Sequence, residues 1–231
     1  MIPEDVARRI DHTLLKPEAP AAHVDALCQA AVQYGFAAVC VNPIHVRRAA
    51  EKLLTRNGAN SPGHVPAVCS VAGFPLGASR TDTKADEARR AMDDGATEID
   101  MVADLGALVD GHGHMVRKDI ESVARVVHGR SSQAKLKVIL ETAALSAEQI
   151  ILGCRCAVEG GADFVKTSTG FHPGGGATAE RVQLLARHAA PLLVKASGGI
   201  RTAAAACAML QAGAARIGTS SGVAIIEELR R

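Results

Sequence analysis

The sequence predicts an α/β protein of the (β/α)8 TIM-barrel type, with residues 1–231 forming a single domain. Three observations predict it. Eight short apolar runs recur along the chain, helical patterns lie between them, and no dinucleotide-binding turn follows the first run. A barrel of this kind takes roughly 250 residues. The rival, a doubly wound sheet, wants G-x-G-x-x-G after its first strand. Here "KPEAP" follows instead, and no G-x-x-x-x-G-K-[ST] occurs anywhere.

In chain order the predicted strands are 10–15, 36–41, 65–71, 97–102, 136–141, 163–167, 192–197 and 215–220. Most are continuously apolar rather than alternating, as strands buried on both faces are. "HVDALCQAAVQYG" reads as a helix stopped by Gly35. "TDTKADEARRAMDDG" reads as one capped by its leading Thr or Asp and stopped by Gly95. "SAEQIILGCRCAVEGG" and "TAAAACAMLQAG" repeat the form, with Ser146 and Thr202 as N-caps.

Composition narrows the function. A net charge of +2 and 2% aromatic residues leave no field or stacking surface for nucleic acid. No apolar run approaches a membrane span, and "MIPEDVARRI" lacks the apolar core of a signal peptide. The six cysteines lie mostly within apolar patterns and read as reduced core thiols of a cytoplasmic protein. Cys154-x-Cys156 and His112-x-His114 lack a second pair at zinc spacing, so no metal site is expected.

Barrel enzymes place their chemistry at the C-terminal ends of the strands. The polar residues expected there are Asp11, Thr13, Asn42, Asp100, Lys137, Glu141, Lys166 and Lys195. After strand seven comes "SGGIRT" and after strand eight "TSSG", where such barrels hold phosphate. Gly198 and Gly199 let an anion approach the backbone, and Ser220 and Ser221 open the next helix. Taken singly, a strand-end lysine is a snorkelling surface residue and "SGG" is a turn. Two lysines ending neighbouring buried strands, with a carboxylate on strand four, ask for a chemical account. A desolvated amine beside another cation is a nucleophile able to form a Schiff base.

At these residues the chain resembles the 2-deoxyribose-5-phosphate aldolases of bacterial type. The stretches are "IDHTLLKPEA", "VCVNP", "GFPLGAS", "EIDMV", "LKVILET", "GADFVKTSTGF", "VKASGGIRT" and "RIGTSSGVAII", spread over almost the whole chain. The resemblance implies that Lys166 forms the Schiff base, Lys195 makes it a better nucleophile, Asp100 shuttles protons and Lys137 supports that relay. It puts Asp11, Thr13 and Cys40 in the pocket lining. Thr169, Gly170, Gly198, Gly199, Gly218, Ser220 and Ser221 then shape the sugar and phosphate site. It implies reversible cleavage of 2-deoxy-D-ribose 5-phosphate to D-glyceraldehyde 3-phosphate and acetaldehyde, in deoxynucleoside breakdown, with no metal or organic cofactor. The partners would be sugar phosphate and aldehyde substrates, with a homodimer as the assembly. A sugar-phosphate isomerase and a non-catalytic sugar-phosphate-binding barrel are the alternatives; both leave Lys166 unexplained. Two stretches depart from the pattern. "HPGGGAT" (172–178) carries what looks like an extra glycine, and "AD" stands at 103–104, where Asp104 is expected to cap a helix.

Overall fold

A computed structural model describes residues 1–56 and 64–231. Eight parallel strands close into one barrel in chain order: β1 (Ile10–Leu14), β2 (Ala38–Val41), β3 (Ala67–Ala72), β4 (Glu98–Val102), β5 (Lys135–Ile139), β6 (Phe164–Lys166), β7 (Leu193–Ser197) and β8 (Arg216–Thr219). Pairing of β1 with β8, Asp11 opposite Gly218, completes the circle. The observed ends lie within two residues of the predicted ones.

Among the described residues ten α-helices accompany the strands: α1 (Pro3–Ala7), α2 (Ala21–Tyr34), α3 (Val46–Arg56), α4 (Thr81–Asp93), α5 (Leu105–Val109), α6 (Gly113–Arg130), α7 (Ala147–Glu159), α8 (Ala179–His188), α9 (Ala203–Gln211) and α10 (Gly222–Leu229). Gly35 ends α2 in the left-handed conformation, φ 68°. Ser146 caps α7 in a reciprocal capping box with Gln149, and Thr202 caps α9. Asp104 caps α5 by accepting from the Ala107 N–H at 3.0 Å. The start of α4 differs from expectation. Arg80 takes the cap position, because the Asp82 carboxylate is engaged by the Arg80 guanidinium and the Thr83 N–H.

Strand side chains alternate between two environments. Outward residues such as Val39, Val41, Ile99, Met101, Val138 and Val165 pack beneath the helices in the large core. Inward residues fill the barrel. Those of β2 and β3, Ala38, Cys40, Cys69 and Val71, form an apolar side with Leu15. The remainder, from β4 round to β1, is charged. At about 25 cal/mol per Å² of apolar area, the outer layer stabilises the fold, and the inner layer is free to carry chemistry. Among the described residues no helix is long and apolar enough to cross a membrane.

Candidate active site

Period-two alternation sends Glu98 and Asp100 of β4, Lys137 of β5, Lys166 of β6, Lys195 of β7, Arg216 of β8 and Asp11 of β1 toward the barrel axis. Strand register makes Asp100 the neighbour of Lys137, and Lys166 the neighbour of Lys195. Asp100 is fully buried and receives three ammonium groups. Lys137 donates to its Oδ1 at 2.8 Å, and Lys166 and Lys195 donate to its Oδ2 at 2.8 and 2.7 Å. Lys195 also reaches Asp11 at 2.6 Å, and Lys137 reaches Glu98 at 2.6 Å. Arg216 closes the ring, donating to Asp11 at 2.9 Å and to both oxygens of Glu98 at 2.7 and 2.8 Å.

The cluster therefore holds three carboxylates against four cations. Lys137, Lys195 and Arg216 each touch two carboxylates or more, whereas Lys166 touches only Asp100. Burial opposes the charge on Lys195, but Asp100 and Asp11 overcome it and hold its ammonium protonated above the ordinary lysine range. Lys137 is held likewise against burial, by Asp100, Cys69, Glu98 and Asp11. Burial also opposes the Asp100 carboxylate, and the three lysines keep it well below the usual range. Glu98, against the same opposition, is lowered to about 2 by Lys137 and Arg216.

A cavity of about 350 Å³ opens at the C-terminal ends of the strands. Its lining includes Thr13, Lys166, Thr169, Gly170, Gly198, Gly199, Gly218 and Ser220, so these expected residues come together. Lys166 is the only lysine of the cluster that reaches it, and it is 2% exposed: the amine is desolvated, not snorkelling. Gly198 (φ 90°) and Gly199 (φ 77°) turn the chain after β7 in conformations that disfavour side chains. A Cβ on Gly218 would lie 3.1 Å from Lys195 Cε, so the glycine leaves room for that lysine.

Three expected pocket residues sit elsewhere. Asp11 is buried among Lys195 and Arg216, one inward position deeper than Thr13. Cys40 is covered by the apolar side of the interior, which includes Leu15 and Val71, with Phe74 packed against it. Ser221 lies outside the lining, and its N–H is already donated to Thr219 Oγ1 at 2.9 Å. Glu141 also lies beyond its expected strand, past the end of β5 in the left-handed conformation.

The expectation missed Glu98, Arg216 and the cavity's rim cations Lys16 and Arg201. Glu98 was legible as the inward partner of Asp100 in "EIDMV", and Arg216 as that of Gly218 in "RIGT"; attention to the strand ends alone passed over them.

All six cysteines are free thiols, five of them buried. Cys40, Cys69 and Asp100 bring donor atoms within 4.8 Å of one another. A divalent cation there would face three lysine ammonium groups already on Asp100, so this donor set does not suit a metal. His112 and His114 have ring centroids 6.2 Å apart, and among the described residues they join no cluster of three ligands.

A closed parallel barrel with a desolvated lysine at the floor of an open cavity defines a TIM-barrel protein with a lysine-centred site. The chain belongs to the DeoC/LacD family of aldolases, whose model matches residues 6–228. It is 52% identical over 231 residues to deoxyribose-phosphate aldolase of Thermococcus gammatolerans, covering 100% of this chain and 99% of that one. It is 50% identical over 224 residues to the Geobacillus sp. deoxyribose-phosphate aldolase, covering 96% and 95%. Among solved structures, tetrameric deoxyribose phosphate aldolase from Aeropyrum pernix superposes with a TM-score of 0.88 at 35% identity, covering 99% of this chain and 92% of that one.

Proposed function

We propose that the chain is a deoxyribose-phosphate aldolase that works through a Schiff base on Lys166, without metal or organic cofactor. One observation carries the assignment of the nucleophile. Lys166 is the only cation of the buried cluster that reaches the cavity, and it is the one held by a single carboxylate.

The substrate, 2-deoxy-D-ribose 5-phosphate, enters as its open aldehyde. Its phosphate lies over Gly198, Gly199 and Ser220, with Arg201 and Lys16 at the rim. The Lys166 amine lies beside Lys195, whose ammonium Asp100 and Asp11 hold protonated. That amine attacks C1 and forms a carbinolamine, which loses water to give an iminium. Asp100, 2.8 Å from the Lys166 Nζ, moves the protons, and Lys137 holds Asp100 in place. The C3 hydroxyl loses its proton, the C2–C3 bond breaks, and its electron pair flows to the iminium nitrogen. Glyceraldehyde 3-phosphate leaves. The enamine is protonated at C2, and water hydrolyses the new iminium to acetaldehyde and free Lys166.

The relatives' name supports the substrate, and the cavity's rim cations suit a phosphorylated one. A cytoplasmic homodimer completes this reading; light scattering distinguishes it from a tetramer like that of the Aeropyrum relative. The chemistry is tested by borohydride reduction in the presence of acetaldehyde, followed by peptide mass spectrometry. The expected product is an ethyl group on Lys166 alone. Folded protein that yields no adduct excludes imine chemistry and leaves the isomerase or binding-protein alternatives.

A further inference from the structure

We propose that Glu141 is a positioning residue of the substrate pocket. Its buried carboxylate fixes the 169–171 turn, and through it the aromatic pair Phe171–Phe74, relative to Lys166. This rests on the aldolase function above and adds a residue to which that function assigns no role.

Glu141 combines two unfavourable features. It is the only non-glycine residue with positive φ among the described residues, at φ 51° and ψ 60°, a conformation that crowds its Cβ. It is also 2% exposed, and no ion pair of the described residues includes it. A carboxylate buried without a cation needs hydrogen bonds to both oxygens. All of them come from Thr169. The Thr169 N–H approaches Oε1 at 3.4 Å and Oε2 at 3.2 Å, and the Thr169 hydroxyl donates to Oε2. The adjoining backbone is tied as well, Thr142 N–H donating to Thr167 O at 2.8 Å.

The consequence reaches the cavity through Thr169. Its hydroxyl proton is committed to Glu141, and its oxygen accepts from the Phe171 N–H at 3.1 Å. Toward a substrate, Thr169 can thus accept a hydrogen bond but not donate one. Phe171, which lines the cavity and is 48% exposed, meets Phe74 edge-on with centroids 5.3 Å apart. Phe74 follows β3 and Phe171 follows β6, so the pair joins loops from non-adjacent strands across the mouth. The position next to the strand carrying Lys166 explains why a strained, buried carboxylate is placed there: pockets are shaped by side chains whose own geometry is locked.

The test compares Glu141→Gln and Glu141→Gly with the parent protein. Acetaldehyde has two carbons and needs only the Lys166–Asp100 centre, so its borohydride-trapped adduct should form within about twofold of the parent rate in both variants. The sugar phosphate needs the pocket wall. Its KM should rise roughly threefold in Glu141→Gln, which keeps one acceptor oxygen, and about tenfold or more in Glu141→Gly, with kcat changing less than KM. Glu141→Gln preserves shape and backbone, and it decides the matter alone if the glycine variant does not fold. A parent adduct with unchanged KM in the variants overturns the role of Glu141 alone, as does a proportional loss of trapping and turnover. Absence of any adduct in the parent overturns the aldolase reading itself.

Discussion

Lys166 and Lys195 stand opposite each other in the register of β6 and β7, and both donate to one oxygen, Oδ2 of Asp100, at 2.8 and 2.7 Å. Two ammonium groups sharing one acceptor repel each other in a site from which water is excluded. The ring holds them differently. Asp11 is a second carboxylate for Lys195, and among the described residues Lys166 has no other than Asp100. The asymmetry arises from β1, whose inward Asp11 lies on the β7–β8 side of the cluster, away from Lys166.

Lys195→Met removes the fixed charge beside the proposed nucleophile. Turnover is expected to fall by about 10²–10⁴, in the range of a lost acid–base or electrostatic partner. Borohydride trapping of acetaldehyde at Lys166 should slow with it, because Asp100 Oδ2 loses one of the two donors that fix it beside Lys166. Trapping at the parent rate would refute the role of Lys195.

Asp100→Asn removes the carboxylate that all three lysines share. Turnover should fall by about 10²–10⁴, the range of a lost acid–base partner. Lys137 and Lys195 keep Glu98 and Asp11, but the three buried cations lose their shared partner. Unfolding by guanidinium should show a loss of about 3–5 kcal/mol. Parent stability in Asp100→Asn would refute the charge arrangement.

The network also predicts how stability responds to acid. Folding lowers the Glu98 carboxyl from 4.5 to about 2, and the three lysines hold Asp100 well below its ordinary value. Depressed carboxyls contribute stability that is complete above their unfolded values and lost as pH falls through the folded ones. Lys137 and Lys195 are raised, so their contributions remain intact in acid. Stability should thus decline from about pH 4.5 toward pH 2, by an amount on the order of 3 kcal/mol for Glu98. Denaturant unfolding at pH 7, 4.5 and 3 measures it. Glu98→Gln should be less stable at pH 7 and lose less on acidification.

What the sequence made legible follows from the period of its strands. Continuous apolar runs specified the eight strands, since a strand buried on both faces leaves no room for polar alternation except where the interior is charged. Lys166, Lys195 and Asp100 stood out because they break such runs, Lys166 at the end of β6 and the other two in the middle of β7 and β4. Glu98 and Arg216 break them at strand starts, where a charged residue looks like a solvated edge; only closure of the barrel turns both toward one centre. The isolation of Cys40 from the cavity depends on Leu15 and Phe74, which arrive from other loops and have no signature in "VCV". Nor could spacing show that the Ser221 N–H is taken by Thr219.

The 172–178 segment, set apart in the sequence by its extra glycine, proves to be the support of the proposed phosphate turn. Ala177 N–H donates to Ser197 O at 3.1 Å and to Gly198 O at 3.2 Å. A Cβ built on Gly176 would lie 2.1 Å from Gly198 O and 2.7 Å from its Cα. Both obstacles are backbone, so no rotamer change relieves the clash and the turn itself must move. Gly175, at φ 106°, has open space around the same hypothetical atom. Gly176→Ala should therefore raise KM for the phosphorylated sugar by about tenfold or more, while trapping of acetaldehyde at Lys166 stays near the parent rate. Gly175→Ala strains only its own backbone, costing about 1 kcal/mol of stability with KM little changed. Steady-state kinetics with and without the 5-phosphate group decide the point. A KM rise of equal size for 2-deoxyribose lacking phosphate would show that the loop supports the sugar rather than the phosphate.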